Sequence, residues 1–203
     1  MSAKLAICVV VAGVLAGCTP APLEETTAPT TASATPPAAA APPLAEPVVT
    51  ALPPAPPPIG RPLDASRYAT GGTVCDLLTD TQAVEFGLQS SGNPYNASDG
   101  SLLTCSRNGF GTERDVEYNL WPDSDVFAAQ FGDRRRQGGD DAYLVDVAGQ
   151  PAVVNGSDPK PACLVTVGLA ERQGIEVLAS DGKDHACALA VAVAEQMVRN
   201  ITG

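Results

Sequence analysis

Cys163 to Ser180 reads CLVTVGLAERQGIEVLAS, and this stretch decides the fold. Two aliphatic runs, Cys163 to Ala170 and Ile175 to Ser180, flank the polar link Glu171-Arg172-Gln173-Gly174. Branched aliphatic residues fit a pleated, buried surface, and a short polar link with Gly fits a hairpin, so two antiparallel strands are predicted. Upstream, Ala152 to Asn155 and Tyr143 to Val147 read as two further strands. Before them, Pro122-Asp123 opens a helix in which Val126, Phe127, Gln130 and Phe131 share one face. Arg134, Arg135 and Arg136 complement the dipole in its last turn, and Gly138-Gly139 close it.

Further back, Glu113 to Trp121 alternates as a strand should. Val116, Tyr118 and Leu120 fall on one side, Glu117 and Asn119 on the other. Leu102 to Arg107 is a strand ended by the turn signal Asn108-Gly109. Thr79-Asp80-Thr81-Gln82 is a capping box that starts a short helix to about Phe86, with Gly87 suited to the C′ position. Downstream of the hairpin, the last helix runs from near Asp184 to about Asn200. Its stripe is Leu189, Val193, Met197 and Ile201, spaced i, i+4. The order α-β-β-α-β-β-β-β-α predicts an α+β domain over 61–203, a mainly antiparallel sheet with helices on one face.

The remaining residues are of other kinds. The chain has 203 residues, 12 Lys+Arg against 23 Asp+Glu, one His, one Trp and a net charge of −11. Such an acidic chain lacks the basic surface that nucleic acid requires. Residues 19–60 hold 13 of the 19 Pro and no aromatic, Cys, Lys or Arg. Pro, Ala and Thr bury too little to form a core, so residues 18–60 are expected to be a disordered Pro/Ala/Thr-rich tether ahead of the domain. Extended at about 3.1 Å per residue it reaches roughly 130 Å, and as a flexible coil roughly 35–40 Å. Thr26, Thr27, Thr30 and Thr31 fit an O-glycosylated stalk or a plain spacer equally.

Met1 to Lys4 carries one positive charge, and Leu5 to Leu15 is an apolar run too short to span a bilayer. Leu15-Ala16-Gly17-Cys18 is similar to the bacterial lipobox. The resemblance implies a lipoprotein signal peptide over 1–17, cleavage after Gly17, and diacylglycerol on Cys18, with palmitate among the expected acyl groups. Each buried methylene adds about 0.8 kcal/mol, so two or three chains hold a protein firmly. The expected location is the outer face of the cytoplasmic membrane. Four Cys remain in the domain: Cys75, Cys105, Cys163 and Cys187. Export implies two disulfides, with three pairings open. The pairing expected is Cys75–Cys105 and Cys163–Cys187, because each joins sequence neighbours and ties a helix start to a strand.

Several stretches together resemble the actinobacterial lipoprotein family known as domain of unknown function 3558. They are RPLDASRYA (61–69), VCDLLTDTQAVEFGL (74–88), Cys105 within a strand, VAGQPAVV (147–154), CLVTVGLA (163–170) and CALAVAVAEQMV (187–198). Many relatives carry Trp two residues after the second Cys. This chain has Arg107 there and its sole Trp at Trp121. The family supplies no reaction.

No catalytic set or metal site is expected. His185, with Asp181 or Asp184, lacks a nucleophile motif and reads as a polar helix start. Asp123 and Asp125, Asp140 and Asp141, and Asp181 and Asp184 suit turns and caps, not an EF-hand spacing. The triplet Arg134 to Arg136 reads as a solvent-facing helix end. The sequons at Asn96, Asn155 and Asn200 read as chance matches in a bacterial chain. The expected role is a non-enzymatic envelope domain without a cofactor. It would meet an envelope protein, a wall polymer or a small ligand through the sheet face bearing Glu117, Asn119 and Trp121. An envelope hydrolase or wall-modifying enzyme is the alternative.

Overall fold

The structure, a computed structural model, describes residues 48–70, 72–97, 99–109, 113–137, 141–156, 161–182 and 185–203. The expected signal peptide, Cys18 and tether residues 18–47 lie outside the described residues, as do Ser98, Gly138-Gly139, Asp140, Ser157 and Asp184. The strands are β1 Thr50–Ala51, β2 Asn93–Asn96, β3 Leu103–Asn108, β4 Asp115–Trp121, β5 Ala142–Val147, β6 Gln150–Asn155, β7 Ala162–Ala170 and β8 Gln173–Ser180. The helices are α1 Asp80–Glu85, α2 Val126–Gln137 and α3 Ala186–Thr202, and two short 3-10 turns, Ser66–Tyr68 and Thr73–Leu77, precede α1. The fold is α+β. One eight-stranded, wholly antiparallel sheet runs in the order β1-β5-β6-β7-β8-β4-β3-β2.

Alternation divides the sheet into two faces. The inner face carries Cys105, Val116, Tyr118, Leu120, Ala152, Val154, Val165, Val167, Ile175, Val177 and Ala179. They share the main core with Leu77, Leu78 and Ala83 near α1 and with Leu189, Val193, Met197 and Ile201 of α3. Ala188, Val191 and Val198 of α3 are buried as well, and the 3-10 turn Thr73–Leu77 packs against this helix. The α1 capping box forms as its residues dictate: Thr79 Oγ1 accepts from the Gln82 N–H and Gln82 Oε1 from the Thr79 N–H. The Gln82 amide then pairs with that of Asn200 in both directions, at 2.7 and 3.0 Å, which docks α1 on the end of α3. Disulfides join Cys75 to Cys105 and Cys163 to Cys187. The first fixes the 3-10 turn to β3, the second β7 to the start of α3.

Three expectations require correction. Helices do not all lie on one face. Phe127 and Phe131 of α2 pack with Val153, Leu144, Leu52 and Ile59 in a second cluster on the outer face, while Ala152 and Val154 beside Val153 point inward. The physical reason is that Ala152, Val153 and Val154 run apolar on both sides of β6, a pattern that belongs to a strand covered on both faces. Gly168 and Gly174 seat this helix: a Cβ on Gly174 would lie 2.5 Å from Val126 Cγ1, and one on Gly168 would overlap Ile59 Cδ1 and lie 3.1 Å from the Phe127 ring. Second, the domain begins before residue 61. Thr50 and Ala51 pair with Leu144 and Tyr143, and Leu52 and Ile59 join the α2 cluster. Third, Asn93-Pro94-Tyr95-Asn96 adds an edge strand on β3. Its residues are all exposed, so it carries no hydrophobic alternation to announce it.

Candidate functional site

Glu117, Asn119 and Trp121 are at outward positions of β4, opposite in sense to Val116, Tyr118 and Leu120. The register extends that outward side into a row across all eight strands: Thr50, Leu144, Val153, Thr166, Glu176, Asn119, Thr104 and Tyr95. The β1–β6 end of the row is aliphatic after Thr50 and lies under α2. From Thr166 to Tyr95 it is polar. α2 packs on β6, β7 and β8. Beyond β8 the outward residues Asn93, Tyr95, Ser106, Asn108, Asp115, Glu117, Asn119 and Trp121 are exposed or half-buried, and only Thr104 among them is buried. Among the described residues, half of the outer face is covered and half is open.

Glu176 stands where the two halves meet and is 7% exposed. Its Oε2 accepts from Trp121 Nε1 at 2.8 Å, and its Oε1 from Gln130 Nε2 of α2 at 3.3 Å and Thr166 Oγ1 at 3.4 Å. All three donors are neutral. Among the described residues no cation pairs with this carboxylate. Beside it, Thr104 Oγ1 donates to Asn119 Oδ1 at 2.7 Å and Tyr95 OH to Glu117 Oε2 at 2.9 Å. The bond to Glu117 raises the Tyr95 pKa above its ordinary value, because ionisation would set a phenolate against a carboxylate. Tyr95, 54% exposed, and Leu178, 40% exposed, add apolar area near the rim. The face thus offers an indole, a phenol, an amide and carboxylates, the makings of a recognition surface.

The inner side holds an arrangement that the sequence reading missed. Arg107 is 2% exposed at an inward position of β3. It donates to Tyr118 OH at 3.1 Å, to the carbonyls of Leu78 at 2.8 Å, Cys75 at 3.2 Å and Gln89 at 3.3 Å, to that of Ser90, and to Asp80 at 3.2 Å. Tyr118 OH in turn donates to the Cys75 carbonyl at 2.9 Å. Burial pushes the Tyr118 pKa up, against the opposing pull of Arg107. The signal was available: Leu103, Cys105 and Arg107 share a parity, so a cation falls on the core side of a strand and must find acceptors there.

The other candidates make local contacts. His185 is the exposed N-cap residue of α3, its carbonyl accepting from the Leu189 N–H. Asp181 is buried and pairs with Arg114 at 3.0 Å. Asp123 pairs with Arg172 at 2.7 Å, a bond that lowers the Asp123 pKa, and Asp125 accepts from the Ala128 N–H in the first turn of α2. Of the α2 arginines, Arg134 bonds to Gln137, Arg135 to the Leu52 carbonyl and Arg136 to Asp133. Asn200 spends its amide on Leu77, Gln82 and Gln196. Among the described residues no three His, Cys, Asp or Glu side chains come together, and no helix is long and apolar enough to cross a membrane.

The sequence pattern of a family described as Protein of unknown function (DUF3558) matches residues 13–200. No curated protein and no solved structure matches the chain.

Proposed function

The chain belongs to the DUF3558 family of proteins of unknown function, and from that premise we propose that it is an actinobacterial lipoprotein of the cell envelope whose domain binds a partner and catalyses no reaction. Cys18 carries the lipid, and the protein sits on the outer face of the cytoplasmic membrane. The Leu5–Leu15 run and the LAGC tetrapeptide support this reading. The Pro-rich tether holds the domain away from the bilayer. Residues 61–203, with 11 Lys+Arg against 20 Asp+Glu, carry a net −9 that disfavours close contact with anionic lipid. The contact surface is the open half of the outer face, built on Glu117, Asn119 and Trp121.

The observation that carries the binding role is the half-covered sheet. A sheet face normally closes with helices or faces water with scattered polar residues. Here α2 stops at β8 and leaves Trp121 and Tyr95 beside hydrogen-bonded polar groups. Two experiments test the reading. Cys18→Ala is expected to release the protein from membranes or leave the precursor uncleaved; correctly cleaved, membrane-bound Cys18→Ala protein removes the anchor from the proposal. Crosslinking in the native envelope is expected to yield a reproducible partner that is lost with Trp121→Ala at unchanged stability. A hydrolase activity of the full chain abolished by His185→Ala, with the circular dichroism spectrum intact, overturns the non-enzymatic assignment.

A further inference from the structure

The open face, taken as the docking surface just proposed, also states the chemistry of what it accepts. Its outward positions on β2, β3, β4 and β8 include Asp115, Glu117 and Glu176 and no Lys or Arg. Glu176 is more than nine-tenths buried yet receives only neutral donors, so its charge is not cancelled within the described fold. The three arginines of α2, the helix beside it, are bonded to Gln137, Leu52 and Asp133. A half-buried indole, fixed by its N–H to that carboxylate, lies alongside. An aromatic face next to a desolvated anion favours a cation, most of all a guanidinium that can stack and hydrogen-bond together.

The same charges dismiss the occupants nearest at hand. The chain's own segment 19–47 contains Glu24, Glu25 and Glu46 and no Lys or Arg. A second copy docked through the same face would set Glu117 and Glu176 against themselves. Phosphate-bearing ligands meet the same repulsion.

We propose that the open face docks a basic segment of a partner protein, with one Arg or Lys side chain settling over Trp121 beside Glu176 and a second meeting Glu117 further along β4. Trp121 is the sole tryptophan, so its fluorescence reads this face directly. The full chain in detergent is titrated with blocked tri-arginine, tri-glutamate and a neutral N-acetylglucosamine oligomer. Tri-arginine is expected to produce a saturable change that weakens with rising salt. Glu117→Gln is expected to weaken it about tenfold, as is Glu176→Gln. Glu117 is the surface control should the buried position perturb folding by circular dichroism. A silent tri-arginine titration, unchanged affinity in Glu117→Gln, or binding of the neutral glycan instead overturns the proposal. A photo-crosslinker at Ser106, used in the native envelope, separates the two readings. A partner captured there through an acidic or neutral surface overturns the charge assignment and leaves the docking face standing. No capture together with no peptide binding overturns both.

Discussion

Arg107 reaches the carbonyls of Cys75, Leu78, Gln89 and Ser90 from one side chain, and so fixes the course of the segment that crosses the sheet between the 3-10 turn and β2. Its ion pair with Asp80 matters little, because Asp80 is 73% exposed and water screens it. The carbonyls matter more, since each would be left buried without a donor. Arg107→Met is therefore expected to cost roughly 3 kcal/mol or more in denaturant unfolding, and Asp80→Asn less than about 1 kcal/mol. Tyr118 gives a second test. Its folded pKa is raised above the ordinary 10.0, so its contribution to stability is complete below pH 10 and is lost as pH rises through the folded value. Absorbance titration of the four tyrosines should show two, Tyr95 and Tyr118, that ionise late, Tyr118 together with loss of the fold. Equal titration of all four would contradict its burial.

At the scale of elements, α2 has one seat. Val126 rests on Gly174 and Phe127 on Gly168, and the same helix supplies Gln130 to Glu176. Gly174→Val has no room and is expected to lift α2, at a cost of about 1–3 kcal/mol, and to shift the Trp121 emission by disturbing Glu176. A stability loss with unchanged emission would mean that α2 does not organise the open face. Each disulfide closes a loop of 30 or 24 residues and stabilises by at most about 3.5 kcal/mol in the loop-entropy view. Cys163→Ala with Cys187→Ala should lower stability by up to that amount while β7 and β8 stay paired, because their ladder is made by the backbone.

For the whole molecule, the domain boundary is a matter of packing. Leu52 and Ile59 lie in a Pro-rich stretch with the composition of a tether, yet both are half-buried against α2. A chain starting at residue 61 is expected to be less stable than one starting at 48 by roughly 2–4 kcal/mol, the burial value of two aliphatic side chains. Guanidinium unfolding of the two chains decides it; equal midpoints would return residues 48–60 to the tether.

The nine elements expected from residue 61 onward are all present because their signals are local: a capping box at Thr79, alternation from Val116 to Leu120, a two-run hairpin around Glu171, although α2 starts at Val126, after the Pro122-Asp123 expected to open it. The last helix starts slightly later than expected, at Ala186, where His185 forms its N-cap. Sequence also placed Glu117, Asn119 and Trp121 on one side of β4, since parity along a strand is fixed by the pleat. What covers that side is not a local property. Whether Phe127 meets the inner or the outer face depends on glycines some forty residues away at 168 and 174, which only the assembled sheet brings beneath α2. Glu176 became part of the face because register sets it beside Asn119, and β1 and β2 formed because the sheet offered edges to strands with no pattern of their own. Local sequence determined which residues share a side; tertiary packing decided which sides were closed and which one was left open.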